Sequence, residues 1–360
     1  MNLATLVDRF SVDLAVSPTF TPGSNYTLLV SYIQDTAGNG MPTDVPVLFT
    51  APSGLPVMEK VVAAFDGSSA VAHPTDGVTW RDRSGNENHA LSYSTAANTR
   101  PTLRTSSLNG LNTLNFLRPS VQALRVEGTN STGLVGDAFT WFVVAKTTNV
   151  ATGVFPNMIR HQSSLDNAAW GTYFFPGNAS TGSRPGLVAN GRNGTGGEVA
   201  AISFPLTPGE WTLVSGHVNG PATEVFSRLE TPSSNTVVTA TNIGTAMRFG
   251  TPVGTWIGST AGGGGVASGA FDGEMAEVLI YNGALDATQR ATVEAYLRTK
   301  YFPRAELSIR LEGGNAIVEF TGTLLSGDEV TGITNVVSGA TSPLVIPNGA
   351  AKQFYRSRLP

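Results

Sequence analysis

The chain has 360 residues, only 13% of them charged, and its 22 Lys and Arg against 26 Asp and Glu leave a net charge of −4. That balance supplies no electrostatic footprint for nucleic acid or for an anionic membrane surface. Cysteine is absent, which excludes disulfides, Cys-zinc sites and thiol catalysis, and no run of 18 apolar residues is available to cross a membrane as a helix.

With 41 Gly and 21 Pro alongside 41% hydrophobic residues, the composition is that of an all-β, loop-rich protein with real cores. The N-terminus, MNLATLVDRFSVDLA, lacks a basic segment followed by an apolar one. No signal peptide is visible, so the chain either is not secreted by that route or is a fragment of something longer.

In chain order, residues 1–54 read as strands and turns. NYTLLVSYI (25–33) is a strand, DTAGNGM (35–41) a turn and VPVLFTA (45–51) the next strand. This pattern resembles the last strands of bacterial immunoglobulin-like modules, and residues 1–54 are expected to be a partial segment of that kind. Residues 58–303 read as one large domain of short strands separated by turns. Its strands include VVAAF (61–65), NTLNFL (112–117), FTWFVVAKT (139–147), WTLVSGHV (211–218), GTWIGS (254–259) and AEVLIY (276–281). One helix follows: Asp286 is a good N-cap, ATQRATVEAYLRTKY continues it, and Pro303 ends the region. Residues 305–360 read as a small β-module that opens on a hairpin around Gly313-Gly314.

Three segments carry a family resemblance: WRDRSGNENHA (80–90), RPTLRTSSLNGLNTLNF (100–116) and FDGEMAEVLIYNGALDATQRATVEAYLRTKY (271–301). Their order and spacing resemble the concanavalin-A-like, laminin-G-like jelly rolls of large extracellular bacterial proteins. The resemblance implies an all-β fold, an antiparallel jelly-roll β-sandwich with one short C-terminal helix and small flanking β-modules. It also implies an extracellular or cell-surface setting. Its expected function is a carbohydrate-binding or adhesive module that is not an enzyme, with a polysaccharide, a glycan or a surface protein as partner. Two alternatives stand beside it: a glycoside hydrolase or lyase of the same fold, and a structural spacer or protein-binding adhesin.

The constellations are sparse. A retaining glycosidase of this architecture needs two carboxylates a few Å apart. The nearest string is Asp272-x-Glu274-x-x-Glu277, and in a regular strand Glu274 and Glu277 fall on opposite faces. No catalytic residue is therefore assigned. Asp82, Ser84, Asn86 and Asn88 place oxygen-bearing side chains at every second residue, which reads either as a polar turn or as the start of a calcium loop. Sugar binding needs exposed aromatic faces with planar polar groups beside them. Trp170 and Tyr173, with Arg160 and Asn167 nearby in sequence, are the candidates, whereas Trp141, Trp211 and Trp256 lie inside strand patterns and read as core. Glu277 stands in an apolar strand, on one face with Met275, Leu279 and Tyr281. It requires either a structural tie to Trp80, Arg81 or Arg83 of the opening segment, or calcium.

Overall fold

The computed structural model describes residues 3–8, 11–15, 25–30, 45–50, 54–73, 77–92, 100–120, 122–126, 136–148, 156–163, 169–175, 186–192, 198–203, 206–232, 234–241, 252–259, 269–303, 305–347 and 353–358. The chain divides into two compact units, Met1–Val293 and Glu294–Pro360. The fold is mostly β, and one α-helix, Ala287–Tyr301, is present among the described residues.

Two antiparallel sheets build the centre of the first unit. The eight-stranded sheet runs in the order Asn235–Thr241, Glu224–Glu230, Trp211–Asn219, Ala138–Thr147, Gly273–Asn282, Leu111–Phe116 and Thr102–Leu108. Its eighth strand, the opening strand Val61–Asp66, pairs with the second half of the closing strand Gly273–Asn282. The nine-stranded sheet runs Glu198–Ser203, Gly186–Arg192, Ala169–Phe175, Asn157–Ser163, Pro252–Ile257, Leu124–Val126, Ala90–Ser92, Gly77–Trp80 and Ala70–His73. Residues 3–50 contribute two separate hairpins, Leu3–Asp8 with Ser11–Ala15 and Asn25–Val30 with Val45–Thr50.

The two sheets pack face to face. Phe65, Trp80, Phe116, Phe139, Trp141 and Phe271 are fully buried in one core. Burying each such side chain is worth roughly 1.5–3 kcal/mol. Polar groups also bridge the layers: the Trp141 indole donates to Thr172 Oγ1, and Ser203 Oγ donates to the Ser227 carbonyl at 3.0 Å.

The helix begins where the sequence places it. Gln289 N donates to Asp286 Oδ1 at 2.8 Å, and Asp286 N donates to Gln289 Oε1 at 3.2 Å. This reciprocal box satisfies two backbone donors that a helix start leaves open. Leu285 N donates to Thr140 Oγ1, and Arg290 lies over the Phe226 ring at 4.4 Å, so the first turn is fixed to the outer face of the eight-stranded sheet.

In the second unit, Leu307–Glu312 pairs with Asn315–Phe320 through Gly313-Gly314, both at positive φ. That is the two-residue hairpin the sequence signals.

Candidate functional site

The closing strand is not regular, and this decides where its acids point. Against Ala138–Thr147, Glu277 stands opposite Val144 while Met275 stands opposite Ala145. Ala276 is the extra residue of a β-bulge, which shifts the alternation. Met275 therefore joins Val278 and Ile280 in the core and does not share a face with Glu277. Glu274 and Glu277 both lie on the outer face. Two sequence expectations are corrected here: the opposite facing of these acids and the shared face of Met275 and Glu277.

Glu274 sits in a row that crosses the sheet. Lys146 stands opposite Glu274, and Trp211 stands opposite Lys146. Lys146 Nζ is 2.9 Å from Glu274 Oε1 and 4.9 Å from the Trp211 ring centroid. Thr113 Oγ1 donates to Glu274 Oε2 at 2.7 Å, and Ser107 Oγ donates to the same oxygen. Burial pushes the Glu274 carboxyl up, but the hydrogen bonds from Ser107, Lys146 and Thr113 and the Lys146 charge outweigh it. The group is held below the ordinary glutamate range and is ionised at neutral pH. The row remains partly open to solvent, with the Lys146 and Glu274 side chains 22% and 14% exposed. Trp211 is half-buried rather than core, which corrects the sequence expectation.

Gly273 permits the row. Its φ is +147°, and a Cβ there would stand 2.0 Å from the Lys146 carbonyl oxygen. Only glycine lets the closing strand approach Lys146 this closely.

Glu277 has a different environment, with only 1% exposure. Its partner across the sheet is Asp66 on the opening strand. The segment after Trp80 ties itself to that strand. The Trp80 indole donates to the Asp66 carbonyl at 2.6 Å, and Arg83 pairs with the Asp66 carboxylate. Asp66 also caps its own turn, accepting from Ser68 N and Ser69 N. Asp66 thus links the opening segment to the strand that pairs with Glu277. Arg81 joins the frame through its backbone, donating to the Ser69 carbonyl at 3.0 Å.

The polar run 82–88 hydrogen-bonds to itself and to the opening strand. Asp82 Oδ1 accepts from Ala64 N and Ser84 N, and Oδ2 accepts from Ser84 Oγ and Asn88 N. Asn86 Nδ2 donates to the Val61 carbonyl and Asn88 Nδ2 to the Val62 carbonyl. Asn88 Oδ1 is buried without a hydrogen-bond partner and would offer a cation one oxygen, where calcium takes six to eight. No group of three or more His, Cys, Asp or Glu side chains able to hold a metal occurs among the described residues. In this conformation the donor set does not fit calcium.

Of the residues singled out for sugar binding, Arg160 lies on Asn157–Ser163, opposite Trp256 on one side and Gly171 on the other. Trp170 and Tyr173 belong to Ala169–Phe175, where Trp170 stands opposite His161, and their side chains lie outside the described residues, as does Asn167. Trp256 is buried, as its strand pattern predicts, and lies outside the central cluster.

No protein-family model matches the chain, and no curated protein matches it. Solved structures do resemble it. An α-L-arabinofuranosidase soaked with a cyclic sulfate inhibitor is 14% identical, with a TM-score of 0.45 over 73% of this chain and 72% of that one. A mutant of Trypanosoma rangeli sialidase displaying trans-sialidase activity is 12% identical, with a TM-score of 0.44 over 71% and 35%. Tailspike protein 2 from an Escherichia coli O157:H7 bacteriophage is 14% identical, with a TM-score of 0.42 over 59% and 27%. The likeness is one of sheet-rich, sandwich-like architecture. The expectation that the chain is not an enzyme does not stand beside this set, which includes arabinofuranosidases and a sialidase mutant displaying trans-sialidase activity.

Proposed function

We propose that the chain recognises carbohydrate at the Trp211–Lys146–Glu274 row. The observation that carries this reading is the row itself: a half-buried indole, an ammonium and an ionised carboxylate on three neighbouring strands, with Thr113 and Ser107 hydroxyls beside them. Sugars present apolar C–H faces and hydroxyl edges, so an indole beside charged hydrogen-bonding groups matches both. Glu274 accepts from sugar hydroxyls and Lys146 donates to their oxygens. The partner is a polysaccharide or glycan, and an extracellular or cell-surface setting is where the chain would meet one.

Glycoside hydrolysis is the second reading, favoured by the ionised Glu274 carboxylate beside the half-buried indole on the outer face. In this reading Glu274 is the base or nucleophile, while Glu277, only 1% exposed, serves the fold.

A glycan array probed with the intact chain, with product analysis of each glycan bound, tests both readings. Binding should be lost in Trp211→Ala and reduced at least about tenfold in Glu274→Gln, in line with loss of a charge-assisted hydrogen bond. Unchanged binding in both variants would remove the row from consideration. Release of new reducing ends would establish hydrolysis.

A further inference from the structure

The second unit ends one of its sheets on an open strand. Leu307–Glu312 is the edge of a three-stranded sheet, and no strand among the described residues pairs with its outer side. Its register with Asn315–Phe320 is continuous, and it holds neither a proline nor a bulge. Its outward N–H and C=O groups therefore present a straight template for another strand. Leu307, Ile309 and Leu311 share one face with Phe320, Val318 and Ala316. Val318 is fully buried, but Ile309 is 55% and Leu311 82% exposed, so cover on this face stops short of the edge. Ser308, Arg310 and Glu312 share the other face with Glu319. At the start of the strand lies an open hollow of about 530 Å³, lined by Glu306, Ser308 and Glu319 on its polar side and by Ala305, Leu307 and Phe320 on its apolar side.

We propose that Leu307–Glu312 pairs antiparallel with the same strand of a second copy of this chain, about a two-fold axis at Ser308. An isologous contact sets the same surface against itself, so a strand that pairs this way must be complementary to its own reverse. Charge selects the register. An axis at Arg310 would set two arginines opposite each other, and an axis at Ile309 would set Glu306 opposite the partner's Glu312. Like charges directly opposite are destabilising. An axis at Ser308 instead sets Glu306 opposite the partner's Arg310, and symmetry makes this pair twice. It also sets Leu307 opposite the partner's Ile309, and Ala305 opposite the partner's Leu311. The partner's Arg310 and Leu311 thus come to the two sides of the hollow, the guanidinium at its acids and the leucine at its apolar wall. Within one chain Arg310 pairs with Glu312 and, at 3.4 Å, with Glu319. These pairs are about half exposed and contribute little, so redirecting the guanidinium to the partner's Glu306 costs little. The pairing would also start from a backbone already extended past the strand, since Thr321 N donates to the Glu306 carbonyl at 3.0 Å.

Sedimentation velocity of the intact chain over a concentration series tests the proposal. A monomer–dimer equilibrium should appear and should saturate at the dimer, because a two-fold contact uses up the edge. Arg310→Glu should weaken the dimer by about tenfold or more, since it sets two pairs of acids opposite each other. Adding Glu306→Arg to Arg310→Glu should restore it. The chain has no cysteine, so single cysteines report the register directly. Ser308→Cys should crosslink to a dimer under mild oxidation, because opposite Cβ atoms stand about 5 Å apart. Glu312→Cys should remain monomeric under the same conditions. A monomer at every concentration, assembly that grows past the dimer, a dimer indifferent to Arg310→Glu, or crosslinking of Glu312→Cys in place of Ser308→Cys would each overturn it. Circular dichroism melts of every variant separate a lost interface from a lost fold.

Discussion

Glu274 and Glu277 lie three residues apart on one strand and on one face, yet they occupy opposite environments. Glu274 is half-buried at the end of the sheet, where two hydroxyls and an ammonium hold it ionised. Glu277 is buried opposite Asp66, inside the frame that Trp80 and Arg83 close around the opening strand. A single inserted residue, Ala276, produces this arrangement. The lesson is that the face of a strand residue depends on local register, and position along the sheet then decides whether an acid supports the fold or remains available for chemistry.

The largest expected effect sets the background for comparing the two acids in acid. His161 lies in the core against Phe139, with Thr255 Oγ1 2.8 Å from its Nδ1, and burial lowers its pKa to about 3. Between that value and the unfolded 6.5, the unfolded chain binds the extra proton. Stability is therefore lost as pH falls from 6.5 toward 3, by on the order of 4 kcal/mol. Denaturant melts across this range should show the loss, and His161→Gln should flatten it.

Next comes the buried frame. Arg83→Ala leaves the Asp66 carboxylate buried without that partner and should cost about 3–5 kcal/mol in denaturant unfolding. A loss below about 1 kcal/mol would mean that the buried end is no more demanding than an exposed ion pair. Asp82→Ala should cost about 1–3 kcal/mol by stranding the amides of Ala64 and Asn88. Adding calcium or a chelator should not shift the melting temperature of the unaltered chain, since the Asp82 oxygens are already occupied by donors. A calcium-dependent rise would reopen the loop as a metal site.

The smallest stability effect belongs to the open end. The Lys146–Glu274 pair is partly exposed, and Lys146→Met should change stability by no more than about 1 kcal/mol. Glu274 has a lowered folded pKa, so what it contributes is present above the ordinary glutamate value. That contribution is lost only as pH falls through the lowered one. Comparing Glu274→Gln with the unaltered chain in the His161→Gln background isolates this small acid term.

Much of the fold is legible in the residues. The strands, the Asp286-capped helix and the Gly313-Gly314 hairpin follow from alternation, capping chemistry and turn chemistry, all of which are local. The bulge at Ala276 is not legible, because it arises from pairing with Ala138–Thr147 and nothing in EMAEVLIYN marks the extra residue. The exposure of Trp211 is hidden for a related reason. Within WTLVSGHV it reads as core, but it opens its strand directly after the turn TPGE, at the end of the sheet where cover runs out. Lys146 carries the same signal at the end of FTWFVVAK: a charge closing an otherwise apolar strand marks the rim. The role of Asp66 is not legible locally, because it depends on partners 14 and 17 residues away, at Trp80 and Arg83.

The most direct test of this division measures two quantities on two variants, Glu274→Gln and Glu277→Gln: the melting temperature and the affinity for a glycan selected on the array. Glu274→Gln should lose affinity while melting within a few degrees of the unaltered chain, and Glu277→Gln should melt markedly lower. The opposite pattern, in which Glu277→Gln abolishes binding or turnover at an unchanged melting temperature and Glu274→Gln only destabilises, would contradict the account.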